Sequence, residues 1–150
     1  MAKKYFHGFT LVELMIVLAI ISILATIAIM YFGPQIFKGN DAERKADIDR
    51  IKIALEEYEK DNNCYPPRDK MLSCGTDASI AIHPYLNNVP CDPVKHIAYY
   101  YESSNSDDSL CGAWFRLYTV LENKSDTSAT PNIGPSGSYN YVQSSGNAPD

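Results

Sequence analysis

From Phe9 to Phe32 the chain reads FTLVELMIVLAIISILATIAIMYF, 24 residues with one charge, Glu13. As a helix rising about 1.5 Å per residue, this run is about 36 Å long, against a hydrocarbon layer of about 30 Å. It is long enough to cross a bilayer with some tilt. Lys3 and Lys4 precede it, and positive charge before an apolar span keeps that end in the cytoplasm. Everything after the span then faces outward. A cleavable secretory signal also begins with basic residues and an apolar run. Here the run is too long for an ordinary signal core. It is followed by Tyr31-Phe32-Gly33-Pro34 rather than a small-x-small site, and Ala25 and Ala28 lack that spacing.

The 150 residues allow one domain plus an anchor. Net charge is −5, from 13 basic and 18 acidic residues, the opposite of the clustered Lys and Arg that nucleic acid requires. No nucleic-acid partner is expected. Cys64, Cys74, Cys91 and Cys111 all fall in the outward part. An even count in an oxidising compartment points to two disulfides. The spacings are too wide and uneven for a zinc site. Three connectivities are open. The shortest loop favours Cys64–Cys74, leaving Cys91–Cys111.

Beyond the span, Gly33-Pro34 is expected to break or kink the helical pattern, because proline removes a donor and crowds the preceding turn. Gly39-Asn40-Asp41 is a second soft point, with Asn40 or Asp41 as a cap. From Asp41 to about Asn62 the pattern is helical, with Ile48, Ile51, Ala54, Leu55 and Tyr58 forming one apolar stripe. The charges between them, Arg44 included, read as a solvated face. Pro66-Pro67 stops the helix. A short helix is expected around Ala78–Leu86, followed by a turn at Pro90–Pro93. Residues 96–102 and 112–122, rich in aromatic and branched side chains, read as strands. Alternation groups Ile97, Tyr99 and Tyr101, then Phe115, Leu117 and Leu121. Trp114, Arg116, Tyr118 and Glu122 take the other face. The Phe115 face is expected to pack on Ile51, Leu55 and Tyr58. The tail from Asn123 is polar and is expected to be flexible, with 138–142 its one strand candidate. The fold class is α+β: a long N-terminal helix, half in the membrane, with a small antiparallel sheet on its outer half. The expected organisation is a leader at 1–8, a spanning helix at 9–39 and a head at 40–150.

Glu13 is the costly residue. A charge at the centre of a spanning helix costs about 2.5–3.5 kcal/mol on insertion scales, and less near the end, where Glu13 lies. Cutting after Gly8, a bond unhindered by a side chain, frees an amine on Phe9 that is positive near neutral pH. That amine, on the same chain or on a packed neighbour, is a partner for Glu13. The alternative is a Glu13 solvated by headgroups with no partner.

The run Lys3 to Ala28, KKYFHGFTLVELMIVLAIISILATIA, closely resembles the class III signal of type IV pilins and pseudopilins. The later stretches RKADIDRIKIALEEYEKDNNCYP and FRLYTVLEN are similar to the outer helix and sheet of the same family. The resemblance implies cleavage between Gly8 and Phe9 by a prepilin peptidase, then N-methylation of Phe9. It implies residence in membrane lipid with the head outside the inner membrane, and extraction by an inner-membrane assembly platform. The product is a helical homo-oligomeric filament in which Glu13, beside Thr10, neutralises a neighbour's N-terminus. It also implies that Gly33 and Pro34 mark the place where such helices unwind inside filaments. No cofactor is implied. Some relatives hold Ca2+ in a loop, for which Asp107 or Asp108 would serve here, although SSNSDDS reads first as a bare turn. Two departures weigh toward a pilin and away from the major pseudopilin of type II secretion. Val94-Lys95 follow Asp92-Pro93 where such pseudopilins usually carry Trp-Gly, and the chain has four cysteines.

No catalytic motif is present, and His7, His83 and His96 are scattered, so no enzyme is expected. Another class is a membrane-anchored binding domain that never polymerises, which needs neither Gly8-Phe9 nor an acid at position 13. Asn123-Lys124-Ser125 matches a glycosylation acceptor.

Overall fold

The computed structural model describes residues 8–75, 82–105 and 107–149. One helix, α1, runs from Leu11 to Asn62. Three strands follow, β1 (Tyr100–Ser103), β2 (Phe115–Thr119) and β3 (Tyr141–Ser144), in one antiparallel sheet of order β1-β2-β3. The architecture is α+β, as the residue pattern predicts. The chain divides into two compact units, Met1–Ile36 and Phe37–Asp150, a few residues before the expected 39/40 boundary.

In the described part of the first unit, the large apolar side chains from Phe9 to Phe32 are 45–79 % exposed. The helix is apolar on every side, so no single stripe packs inward. Ser22 and Thr26 return their hydroxyls to the carbonyls of Leu18 (2.7 Å) and Ser22 (2.8 Å). Both hydroxyl donors are thereby satisfied without water, as an apolar surrounding requires.

In the second unit, α1 is amphipathic. Ile48, Ile51, Ala54 and Leu55 are 0–2 % exposed, and they share one core with Tyr99, Tyr101, Phe115, Leu117, Leu121 and Tyr141, with Tyr58 packed against it. The register pairs Tyr101 with Leu117 and Tyr100 with Tyr118, so inward and outward side chains alternate as a pleated strand demands.

Several expectations are corrected. α1 continues through Gly33 and Pro34. One proline removes a single backbone donor, and strong helical sequence on both sides carries the helix across. Nor does a new helix start at Asn40 or Asp41; α1 passes through both, and Asp41 is buried at 2 % exposure. Ile97, grouped by alternation with Tyr99 and Tyr101, does not share their burial: it is 57 % exposed. It lies in a loop closed by the N–H of Asp92 on the carbonyl of Ile97 (2.9 Å), and β1 begins only at Tyr100. Tyr118, expected to face outward, is 4 % exposed. The chain after Asn123 folds back over it, contributing β3 and laying Gly134 on the ring. A Cβ at Gly134 would stand 2.8 Å from Tyr118 Cε1, and its φ is +70°, so both space and backbone demand glycine there. Residues 78–81 of the expected short helix lie outside the described residues, and Ile82–Leu86 form a turn.

The disulfides join Cys64 to Cys111 and Cys74 to Cys91, with Cα separations of 5.6 and 5.2 Å, not the shortest-loop pairing. Long-range backbone pairing decides this. Tyr65 and Gly112 exchange hydrogen bonds of 2.8 and 3.0 Å, and the Gly75 N–H reaches the Val89 carbonyl at 2.7 Å. Each contact brings one cysteine beside its distant partner. A proteolytic digest without reductant is expected to yield the 64–111 and 74–91 peptide pairs by mass spectrometry. In thermal melts of the detergent-solubilised chain, Leu55→Ala is expected to cost about 2–5 kcal/mol. Ile53→Ala, on the exposed side of the same helix, should stay within about 0.5 kcal/mol of the parent.

Candidate assembly site

The N-terminus of α1 is organised by Thr10. The Glu13 N–H donates to Thr10 Oγ1 at 3.2 Å, and the Leu14 N–H donates to the Thr10 carbonyl at 3.2 Å. Thr10 is therefore the N-cap and Glu13 the third helical residue. Thr-x-x-Glu is the sequence signature of this arrangement, a readable signal that reasoning from apolarity and charge alone passes over. Glu13 lies in the first turn, where the positive end of the helix dipole favours an acid. Gly8 has nothing within 4 Å of where a Cβ would sit, and Phe9 is 79 % exposed. The scissile pair predicted from sequence is thus open, and Thr10 and Glu13 share one turn. Gly33 and Pro34 lie in mid-helix.

In the second unit the buried polar centre is Arg44, 1 % exposed, although its place among the helical charges predicts a solvated side chain. Its Nε donates to Asp92 Oδ2 (2.8 Å), its NH1 to Asp41 Oδ1 (2.7 Å), and its NH2 to Glu122 Oε1 (3.1 Å) and Asp92 Oδ1 (3.3 Å). The carboxylates are satisfied from their other sides. Asp41 accepts the N–H groups of Glu122 (2.9 Å) and Asn123 (2.7 Å), and Asp92 Oδ1 accepts those of Val94 (2.9 Å) and Lys95 (2.8 Å). One guanidinium thus ties α1 to the 92–95 turn and to the segment after β2. Burial alone would lower the pKa of Arg44, but its hydrogen bonds to Asp92, Asp41 and Glu122 outweigh that and raise it. Burial likewise pushes Asp92 upward, yet the Arg44 hydrogen bond and the two backbone donors hold it below the usual carboxylate value. Nearby, burial raises Asp47 despite a 3.0 Å hydrogen bond from the Tyr99 hydroxyl.

The acidic loop is committed locally. Asp107 Oδ1 accepts the backbone N–H (3.0 Å) and hydroxyl (2.6 Å) of Ser109, and Asp108 pairs with Arg68 at 3.4 Å. Among the described residues, no group of three His, Cys, Asp or Glu side chains could hold a metal ion.

A long apolar helix capped at its N-terminus, with a small sheet laid on its amphipathic half, defines a pilin-like subunit. Residues 3–29 match the prokaryotic N-terminal methylation motif. The chain is 30 % identical over 101 residues to the type II secretion system core protein G of Aeromonas hydrophila, covering 62 % of this chain and 71 % of that protein. It is 43 % identical over 65 residues to the type IV major fimbrial protein FimA of Dichelobacter nodosus, covering 43 % of this chain and 41 % of that protein. It is 31 % identical over 86 residues to core protein G of Pectobacterium carotovorum subsp. carotovorum, covering 57 % of this chain and 54 % of that protein. No solved structure matches the chain. The chain belongs to the type IV pilin and pseudopilin family.

Replacing Arg44 by Met leaves buried carboxylates uncompensated and is expected to cost about 3–5 kcal/mol, read by thermal unfolding in detergent. The two aspartates give stability opposite pH slopes. Asp47, raised in the folded state, contributes stability that is full below the unfolded value near 4 and is lost as pH rises through its folded value. Asp92, depressed, contributes stability that is present above that unfolded value and lost as pH falls through its folded value. Acidification from neutral pH is thus expected to stabilise first and destabilise afterwards. Asp47→Asn keeps an acceptor for Tyr99 and is expected to abolish the first phase only.

Proposed function

We propose that this protein is the structural subunit of a type IV pilus-like filament. The single observation carrying the reading is the long run of exposed apolar side chains on the first half of α1, headed by the Thr10 cap and Glu13. In lipid that surface is solvated. Outside lipid it must be covered, and a bundle of identical helices covers it. A prepilin peptidase cuts between Gly8 and Phe9, and Phe9 is N-methylated. The chain waits in the inner membrane with its head outside until an assembly platform extracts it. Glu13 then meets the Phe9 amine of a neighbour. A heterologous contact of this kind propagates into a fibre rather than closing a ring. The role is mechanical rather than enzymatic.

A second reading, the major pseudopilin of a type II secretion system, is favoured by one observation. The match to the Aeromonas core protein G spans 71 % of that protein, whereas the fimbrial match spans 41 % of FimA. The four cysteines and Val94-Lys95 in place of Trp-Gly weigh for a pilin. Electron microscopy of shed material with protein identification separates the two: long surface fibres of this chain mark a pilin, and short envelope-confined ones a pseudopilin.

Intact-mass measurement of assembled protein is expected to show a chain beginning at Phe9 and heavier by one methyl group. Glu13→Gln is expected to insert and fold normally but to give few filaments in the sheared fraction. Normal assembly of that variant would remove the pairing from the mechanism.

A further inference from the structure

The sheet carries a second group of polar side chains on the side away from its core. With Tyr101, Phe115 and Leu117 turned inward, the alternation of a pleated strand turns Tyr100, Glu102, Arg116 and Tyr118 the other way. A hollow of about 350 Å³ opens on that side. A second hollow of about 270 Å³ adjoins it, because Arg68 and Tyr100 line both. Tyr100 and Trp114 are half-buried rings in the wall of the first hollow. Arg116 lies over the Trp114 ring at 5.1 Å and Arg68 over the Tyr100 ring at 5.0 Å, so a cation–π contact steadies each ring. Glu102, Asn105 and Asp108 line the same hollow. The charges around it are mutually paired. Arg68 meets Asp108 at 3.4 Å and Arg116 meets Glu102 at 3.9 Å, while Asp92, at the adjoining hollow, is held by Arg44 at 2.8 Å. Glu102 Oε2 accepts the Tyr118 hydroxyl at 2.7 Å, and among the described residues no hydrogen bond reaches its Oε1.

We infer that this groove binds a neutral saccharide. Trp114 and Tyr100 take the apolar C–H face of a pyranose ring, and Arg68, Glu102, Asn105 and Asp108 take its hydroxyls. The adjoining hollow, whose lining includes Tyr118 and Tyr139, gives room for a second ring. Each feature selects this class of ligand. A purely apolar ligand would cover Glu102 and Asn105 and leave their polar atoms without partners. An anionic ligand would meet Glu102 and Asp108 at like charge, with Arg68 already paired. A sugar hydroxyl both donates and accepts, and planar carboxylate, amide and guanidinium groups offer paired atoms to neighbouring hydroxyls. Their pairing with one another holds them in place before a ligand arrives, which lowers the ordering cost of binding. Aromatic walls joined to a few placed polar groups are the usual make-up of a small-ligand cleft. Both hollows are open to solvent, so one site binds weakly, with Kd on the order of 1 mM. The inference concerns the head alone and does not rest on the filament reading. A filament repeats the site along its length and gains avidity for a saccharide surface.

The test uses the full-length chain in a zwitterionic detergent, because a maltoside detergent would itself offer a sugar to the groove. Lactose, cellobiose and N,N′-diacetylchitobiose are titrated in turn, and the emission of Trp114, the single tryptophan of the chain, reports binding. A saturable change with at least one of them is expected. Sialyllactose is expected to bind at least about fivefold more weakly than lactose, since its carboxylate adds like charge. Tyr100→Ala and, separately, Glu102→Gln are each expected to weaken binding at least about fivefold, with non-reducing mobility and thermal unfolding used to show that the fold is kept. Glu102→Gln retains an acceptor for the Tyr118 hydroxyl, so it decides the matter if the tyrosine variant does not fold. Ile53→Ala, on the exposed side of α1, is expected to bind like the parent. No saturable response to any of the three disaccharides, sialyllactose binding tighter than lactose, or unchanged binding in a folded groove variant would overturn the assignment and leave the filament reading standing.

Discussion

One helix has to satisfy two solvents, and everything else in the structure is arranged around that demand. Up to Phe32, α1 is apolar all round and buries nothing of itself in the chain. From Asp41 onward it is amphipathic and buries one stripe completely. A helix of the first kind is stable in lipid or in a bundle of its own kind, since its backbone is satisfied internally and its side chains need only an apolar surrounding. A helix of the second kind needs a sheet to lie on. The sheet is short because only that outer stretch of helix needs covering.

Near where α1 turns from apolar to amphipathic, the structure places a buried ion cluster. Arg44 gathers Asp41, Asp92 and Glu122 in the first turns of the helix that belong to the head. Each carboxylate comes from a different segment, and two of the three also accept backbone N–H groups of the segments they hold. A buried ion cluster is weak evidence of net stability compared with an apolar core. Its value here is positional. It fixes where the 92–95 turn and the chain after β2 meet α1, and so fixes the outer surface those loops present.

The helix was legible because its signals are local. A three- and four-residue apolar period names Ile48, Ile51, Leu55 and Tyr58 directly, and the alternation in β2 names Phe115 and Leu117. The Thr10-x-x-Glu13 cap was also written in the sequence. Arg44 was not legible. Among so many helical charges it carries no mark, and two of its partners are 48 and 78 residues away. The cysteine pairing was hidden for the same reason, being set by backbone contacts such as Tyr65 with Gly112. Tyr118 looked solvent-facing because nothing in a polar, serine-rich tail announces that Gly134 and Tyr139 return to cover it.

The two disulfides are nested, with the 74–91 bridge inside the ring closed by Cys64 and Cys111. A protease that nicks any one peptide bond between those outer cysteines therefore releases no fragment; the cut ends stay tethered through sulfur. β3 lies downstream of the ring, at Tyr141–Ser144, and has no such tether. A single cut between the ring and that strand leaves it attached only by pairing and packing. Proteolytic damage to this unit is survivable within the ring and consequential in the stretch after Cys111.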